Sequence, residues 1–229
     1  MARPVPHPHE PWIVECAQCE ARNPRDGKRC SRNSCKTFPY CWQHLKLIMG
    51  LQVKLSSVAN AGCGLIATQP NAAWVASNQS MKNDAQSNST ITNDVGKRMI
   101  FGKDAWISPY TGERLTAAQE ATRYPPPTTG RYLIPSGSGA AAFQISIDAI
   151  RTTSAPARFA NHTTRTSPGI ERVRAKFASR GGGAYPGPWL KSTMRVYEGD
   201  EIWVNYGSDY NHAAGLMADE RPPRRSLCR

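Results

Sequence analysis

The chain has 229 residues, with 29 Lys plus Arg against 17 Asp plus Glu, a formal net charge of +12 and a pI of about 9.6. Hydrophobic residues make up 39% and charged residues 20%, which excludes wholesale disorder and leaves enough apolar material for a packed core. The basic excess excludes an acidic, cation-buffering protein and favours anionic partners. No apolar run approaches the ~18 residues of a membrane span, and MARPVPHPHEPW lacks the apolar stretch of a secretory signal. An intracellular protein, neither secreted nor membrane-bound, is expected.

Residues 1–15 are rich in Pro and His and read as a loose arm. A Cys-rich module is expected over 16–50, because five of the seven cysteines fall at Cys16, Cys19, Cys30, Cys35 and Cys41, with His44 just beyond. In a reducing compartment such clustered thiols read as metal ligands before disulfides. Cys41 and His44 have the two-residue gap that lets neighbouring side chains reach one ion, as do Cys16 and Cys19. Zn(II) takes four thiolate or imidazole donors in a tetrahedron. Cys19, Cys30, Cys41 and His44 are favoured, with Cys35 the first replacement for any of them. Asp26 and Gly27 are expected in a turn between Cys19 and Cys30. So few aliphatic residues cannot fold on an apolar core alone, so a structural metal would supply the missing stability.

A helical stretch is expected from Trp42 to Gly50. Beyond Lys54 the texture changes to short apolar runs bounded by Gly and Pro, which read as strands. These runs are Val53–Leu55, Gly64–Ala67, Ala105–Ile107, Ala142–Ile147 and Glu201–Val204. Leu115 to Arg123 could form one short helix. The polar stretch 77–98 reads as an exposed insertion, and 211–229 as a basic tail. The expected fold is mainly β with short helices, preceded by the small metal module.

Four separated pieces carry candidate chemistry: Ala61-Gly62-Cys63-Gly64-Leu65 after Ser56-Ser57; Ser108-Pro109-Tyr110; Arg158-Phe159-Ala160-Asn161-His162; and Gly199-Asp200-Glu201-Ile202-Trp203-Val204-Asn205-Tyr206-Gly207. Singly each is weak. In this order, over about Lys54 to Tyr210, they resemble the SET-domain lysine methyltransferases. Arg158 to His162 looks like the family's R-F-[IA]-N-H-S segment, and the fourth piece looks like G-[DE]-E-[IL]-x-x-x-Y-G-x-x-Y. Cys19 through His44 resembles a Cys-rich module that precedes SET domains in some protist and large-virus proteins.

The resemblance implies a SET-type β fold over 54–210 with a knot-like crossing, and methyl transfer from S-adenosylmethionine to a protein lysine, with histones among the substrates. It implies that Gly62, Cys63 and Gly64 let backbone approach the cofactor, and that Arg158, Asn161 and His162 hold its amino-acid end and adenine. Tyr206 would be the catalytic tyrosine and would also touch the cofactor, with Tyr110 bordering the same pocket. A lysine amine has an ordinary pKa of about 10.4, so presenting it neutral near physiological pH costs about 4 kcal/mol. A dry channel and an approaching sulfonium both supply that push.

Two departures stand out. Thr163-Thr164-Arg165 replaces the usual Ser-Cys-x-Pro-Asn continuation, and Cys228 alone stands where the family has a zinc-binding cysteine trio. Residues 210–217 would have to cover the lysine channel instead. From Arg151 to Arg180 there are seven basic residues and one acidic, Glu171, which suits nucleosomal DNA or an acidic substrate. These features motivate a rival reading, a catalytically silent SET fold that binds chromatin or nucleic acid. Nuclear residence is implied by the resemblance alone.

Overall fold

The structure, a computed structural model, describes residues 16–35, 38–58, 61–78, 96–125, 132–136, 145–150, 156–162, 174–181 and 187–205. The expected N-terminal arm, most of the polar insertion and the basic tail lie outside the described residues, as do Tyr206 and Tyr210. The fold is mainly β with short helices, and the Cys/His-containing module precedes the main β region.

Strands β1 (Cys16–Gln18) and β2 (Asn33–Cys35) pair antiparallel at the start of the module. The expected turn between Cys19 and Cys30 is present: Arg22 bridges Arg29, and Gly27 closes the loop at φ 67°. Helix α1 (Trp42–His44) runs on into a wide π-helical stretch, Leu45–Met49, which buries Leu45, Ile48 and Met49. Gly50 ends it in the left-handed region at φ 66°, its N–H returning to the carbonyls of Leu45 and Lys46. A Cβ on Gly50 would also stand 2.6 Å from the Thr68 carbonyl oxygen, so glycine is required there on two counts.

Strand β3 (Leu51–Leu55) folds back on β4 (Cys63–Ala67) as an antiparallel hairpin in register from Leu51–Ala67 to Leu55–Cys63. Helix α2 (Ala72–Ser77) follows, capped by the Asn71 side chain, which accepts from the amides of Ala73 and Trp74. Strand β5 (Met99–Phe101) pairs with β12 (Val196–Tyr197). Strands β6 (Trp106–Pro109), β10 (Ala175–Arg180) and β11 (Gly187–Ser192) form a sheet in the order β10-β11-β6. A second three-stranded sheet, in the order β7-β9-β8, is built from β7 (Glu113–Thr116), β8 (Leu133–Pro135) and β9 (Ile145–Asp148). Helix α3 (Ala117–Arg123) grows out of β7, started by a Thr116–Gln119 capping box. The helix expected at Leu115–Arg123 thus begins two residues later, because Leu115 is buried in strand register opposite Ser146.

Glu201 to Val204, read as a strand from sequence, is held instead by separate bridges, Glu201 to Ile66 and Val204 to both His162 and Ala175. The segment changes partners along its length, so no regular ladder forms.

One apolar cluster spans module and main region. Phe38, Tyr40, Leu45 and Met49 of the module are buried in the same cluster as Leu51, Leu65, Ile107, Leu190, Ile202 and Val204. The module was expected to lack a core of its own, and it borrows one.

Candidate functional site

Three chain turns deliver the Cys/His group. Cys19 leaves β1 with its N–H on the Arg32 carbonyl, and Cys30 leaves the Arg22–Arg29 turn with its N–H on Ala21. Cys41 caps α1 and His44 ends it, one helical turn apart on the same face. The donor atoms of Cys19, Cys30, Cys41 and His44 all lie within 4.8 Å of one another. Nδ1 of His44 stands 3.5 Å from Cys19 Sγ and 3.3 Å from Cys41 Sγ. Thiolates on a tetrahedral zinc at about 2.3 Å would be about 3.8 Å apart, so the donor set fits such an ion in number, type and spacing. The side chain of Cys35, the expected replacement, lies outside the described residues, while its backbone pairs with Cys16 in β1–β2.

Backbone N–H groups point at two of the sulfurs. The Cys41 N–H donates to Cys19 Sγ at 3.3 Å, and the Arg32 N–H donates to Cys30 Sγ at 3.4 Å. Cys19 and Cys41 are buried side by side. The hydrogen bond from Cys19 pulls the Cys41 thiol down to about 4 against the opposing cost of burial, with His44 assisting. The same bond, with burial, pushes the Cys19 thiol up. A cation among the four donors would favour the thiolate form of both. The His44 ring lies against Trp74 at a centroid distance of 4.5 Å, which fixes the imidazole's tilt.

A second convergence lies where the β3–β4 hairpin meets the chain's described end. The Asn161 amide nitrogen donates to the Cys63 carbonyl at 2.9 Å and to Glu201 Oε1 at 3.3 Å. The Asn161 carbonyl accepts from the Val204 N–H at 3.0 Å, and His162 bridges Val204 in parallel. Ile202 and Ala67 complete the junction, with Ile202 N–H on the Leu65 carbonyl and Ala67 N–H on that of Asp200. Cys63, Gly64, Asn161 and His162 are thereby brought to one place, beside the segment that leads to Tyr206.

Other expected residues have partners of their own. The Tyr110 hydroxyl is buried and donates to the Tyr132 carbonyl at 2.8 Å, while its ring meets Phe177 edge-on. The Arg158 guanidinium stacks over the Tyr132 ring at 4.2 Å and donates to the Ile150 carbonyl at 2.9 Å. Tyr110 and Arg158 thus share Tyr132 as a neighbour. Gly62 turns at φ 71°. Gly64 has a reason of its own: a Cβ there would fall 2.2 Å from Glu201 Oε1. Cys63 is disulfide-bonded, so its sulfur is no metal candidate.

Two buried polar residues were given no role by the sequence reading. Glu201 accepts from Ser56 Oγ at 2.5 Å and from the N–H and Oγ of Ser57 at 2.8 and 2.6 Å. Asn78, inside the expected insertion, accepts from the Arg22 N–H at 2.7 Å and donates to the Arg22 carbonyl at 3.0 Å. Partners 145 and 56 residues apart leave no local signature. The one hint was a glycine at position 64 where a strand would rather carry a side chain.

No family model matches the chain, and no curated protein matches it. Among solved structures it is similar to an active polycomb repressive complex 2 in the stimulated state, at 15% identity and a TM-score of 0.45 over 71% of this chain. It is also similar to such a complex in an autoinhibited conformation bound to S-adenosylmethionine, at 14% identity and a TM-score of 0.43 over 75% of this chain. The Neurospora SET domain protein DIM-5, a histone lysine methyltransferase, aligns at 16% identity and a TM-score of 0.42 over 69% of this chain. The chain spans 16% and 17% of the two polycomb chains and 52% of the Neurospora protein.

Proposed function

We propose that this protein is a SET-type protein-lysine N-methyltransferase that uses S-adenosylmethionine, with a structural zinc in its N-terminal module. One observation carries the reading: Cys63, Asn161 and Glu201, from three of the four motif pieces, meet in a single hydrogen-bonded junction across separations of 98 and 40 residues. The 161–162 segment runs parallel beside Val204, where the knot-like crossing expected of the fold would form.

The donor supplies an electrophilic methyl on a sulfonium; the lysine nitrogen's lone pair forms the new bond as the carbon–sulfur bond breaks. The chain's own residues bind and align. Both N–H groups of the Asn161 amide are spent on Cys63 and Glu201, which leaves Oδ1 to accept from an N–H of the cofactor's amino-acid end. Gly62, Cys63 and Gly64 would offer backbone to the same ligand, with His162 beside the adenine. Tyr206 would align the neutral amine by its hydroxyl. Arg158 and Tyr110, tied to Tyr132, would form the cleft's wall, a supporting role for both. Cys19, Cys30, Cys41 and His44 would hold the zinc. Protein substrates are those that present a lysine, histones included, with nucleosomal DNA as a further contact and the nucleus as the site of action.

A radiolabelled methyl-transfer assay against histones and cell lysate tests the reading. Label is expected with the wild type and lost with Tyr206→Phe and Asn161→Ala; equal labelling by all three overturns it.

The rival, a silent SET fold that binds nucleic acid, draws on one face of the β10-β11-β6 sheet. There Lys176 stands opposite Lys191, and the Arg180 guanidinium lies 4.7 Å from the Trp189 ring centre and 5.5 Å from that of Trp106. Strongly salt-dependent DNA affinity without cofactor binding would favour it.

A further inference from the structure

The buried carboxylate of Glu201 is the one feature of the junction that the proposed reading leaves without a task. It is 6% exposed, and its partners are all neutral donors: the hydroxyls of Ser56 and Ser57, the Ser57 amide and the Asn161 amide. Burying a carboxylate is costly unless its oxygens are well supplied with hydrogen bonds, and here each oxygen receives two. Ser56 Oγ in turn accepts from the Val58 N–H at 3.0 Å, and the Ser56 N–H closes on the Gly62 carbonyl at 2.8 Å. The turn that joins β3 to β4 is therefore pinned from its interior by a side chain 145 residues away.

We infer that Glu201 is a positioning residue of the cofactor cleft, an assignment that rests on the methyltransferase reading. It acts through two others. By accepting from Asn161 Nδ2 it fixes which way the amide faces, so that Oδ1 points to the ligand and the nitrogen does not. By gripping both serines it sets the turn that ends at Gly62, and hence the backbone the cofactor would lie against. Gly64 belongs to the same device, since any side chain there would drive the carboxylate from its seat. Because Glu201 lies five residues before Tyr206 in the chain, it also ties the cofactor turn to the segment that leads to the proposed catalytic tyrosine.

The test uses the full zinc-loaded chain and four proteins: wild type, Ser57→Ala, Ser57→Thr and Glu201→Gln. Ser57→Ala removes one donor at little risk to the fold, and Ser57→Thr restores the hydroxyl. The expected result is a dissociation constant for S-adenosylmethionine raised roughly ten- to hundred-fold in Glu201→Gln and less in Ser57→Ala, with Ser57→Thr close to wild type. In steady-state assays KM for the cofactor should rise more than kcat falls. Nitrogen-15 spectra should show the Asn161 side-chain amide shifted in Glu201→Gln, a readout independent of turnover. If the wild type binds S-adenosylmethionine and both weakened variants bind it equally well, this inference is overturned and the methyltransferase reading stands. If the wild type does not bind it, both fall. If Glu201→Gln fails to fold, Ser57→Ala against Ser57→Thr decides alone.

Discussion

At the scale of single residues, stability turns on a few buried polar groups. Arg123, 5% exposed along its side chain, donates to Asp148 at 2.9 Å and by two bonds to Glu113. Asp148, 1% exposed, also accepts from the Tyr124 hydroxyl and the Ile150 N–H. The carboxylates of Glu113 and Asp148 hold the Arg123 guanidinium above its ordinary pKa against the opposing cost of burial. Arg123→Met would strand the carboxylate and should lower the unfolding free energy by about 3–5 kcal/mol, read from the denaturant midpoint. Gly64→Ala should cost about 1–3 kcal/mol, because its methyl meets the Glu201 carboxylate. A double-mutant cycle with Glu201→Asp, whose shorter arm withdraws the oxygens, should recover part of that loss. The sequence displayed Asn161, His162 and the ligand cysteines as motif letters. It showed Glu201 as a motif letter too, but not its partners, which are distant in the chain, nor Gly64's true neighbour.

At the scale of elements, short strands were the most legible part. Val53–Leu55 and Gly64–Ala67 lie within the β3–β4 hairpin, and the Trp42–Gly50 helical stretch ends at the glycine expected to stop it. The π-helical widening over Leu45–Met49 was not legible, since it follows from seating three apolar side chains at once and not from any local propensity. Nor was the docking of α2 on the module. Its terminal Asn78 grips both backbone groups of Arg22, and the Tyr40 hydroxyl donates to the Asn78 carbonyl at 3.4 Å. Asn78→Ala should cost about 1–3 kcal/mol and speed hydrogen exchange at the Arg22 amide, which would lose its buried acceptor. Trp42, set between the donors Cys41 and His44, meets the Phe159 ring edge-on at 5.5 Å. The metal module thus touches the segment that ends in Asn161 and His162.

At the scale of the whole molecule, the shared apolar cluster ties the module to the main region, and the two should unfold as one cooperative unit. Elemental analysis should find about one zinc per chain, lost in Cys41→Ser. A chelator should lower the melting temperature of the whole protein in one transition and not melt the module alone. The net charge of +12 is partly spent indoors: Arg174 pairs with Asp200 and lies beside Trp203, and Arg158 lies on Tyr132. Counting the basic residues from Arg151 to Arg180 therefore overstates the surface charge, a distinction composition cannot make. Among the described residues no helix is long and apolar enough to cross a membrane.

Methyl transfer by this protein requires that the junction of Cys63, Asn161 and Glu201 border a site for a sulfonium donor. Calorimetric titration of S-adenosylmethionine into the zinc-loaded full chain measures this most directly. One saturable site per chain is predicted, weakened at least about tenfold by Asn161→Ala through loss of its hydrogen bond. An absence of saturable heat in the folded, metal-loaded wild type would contradict it.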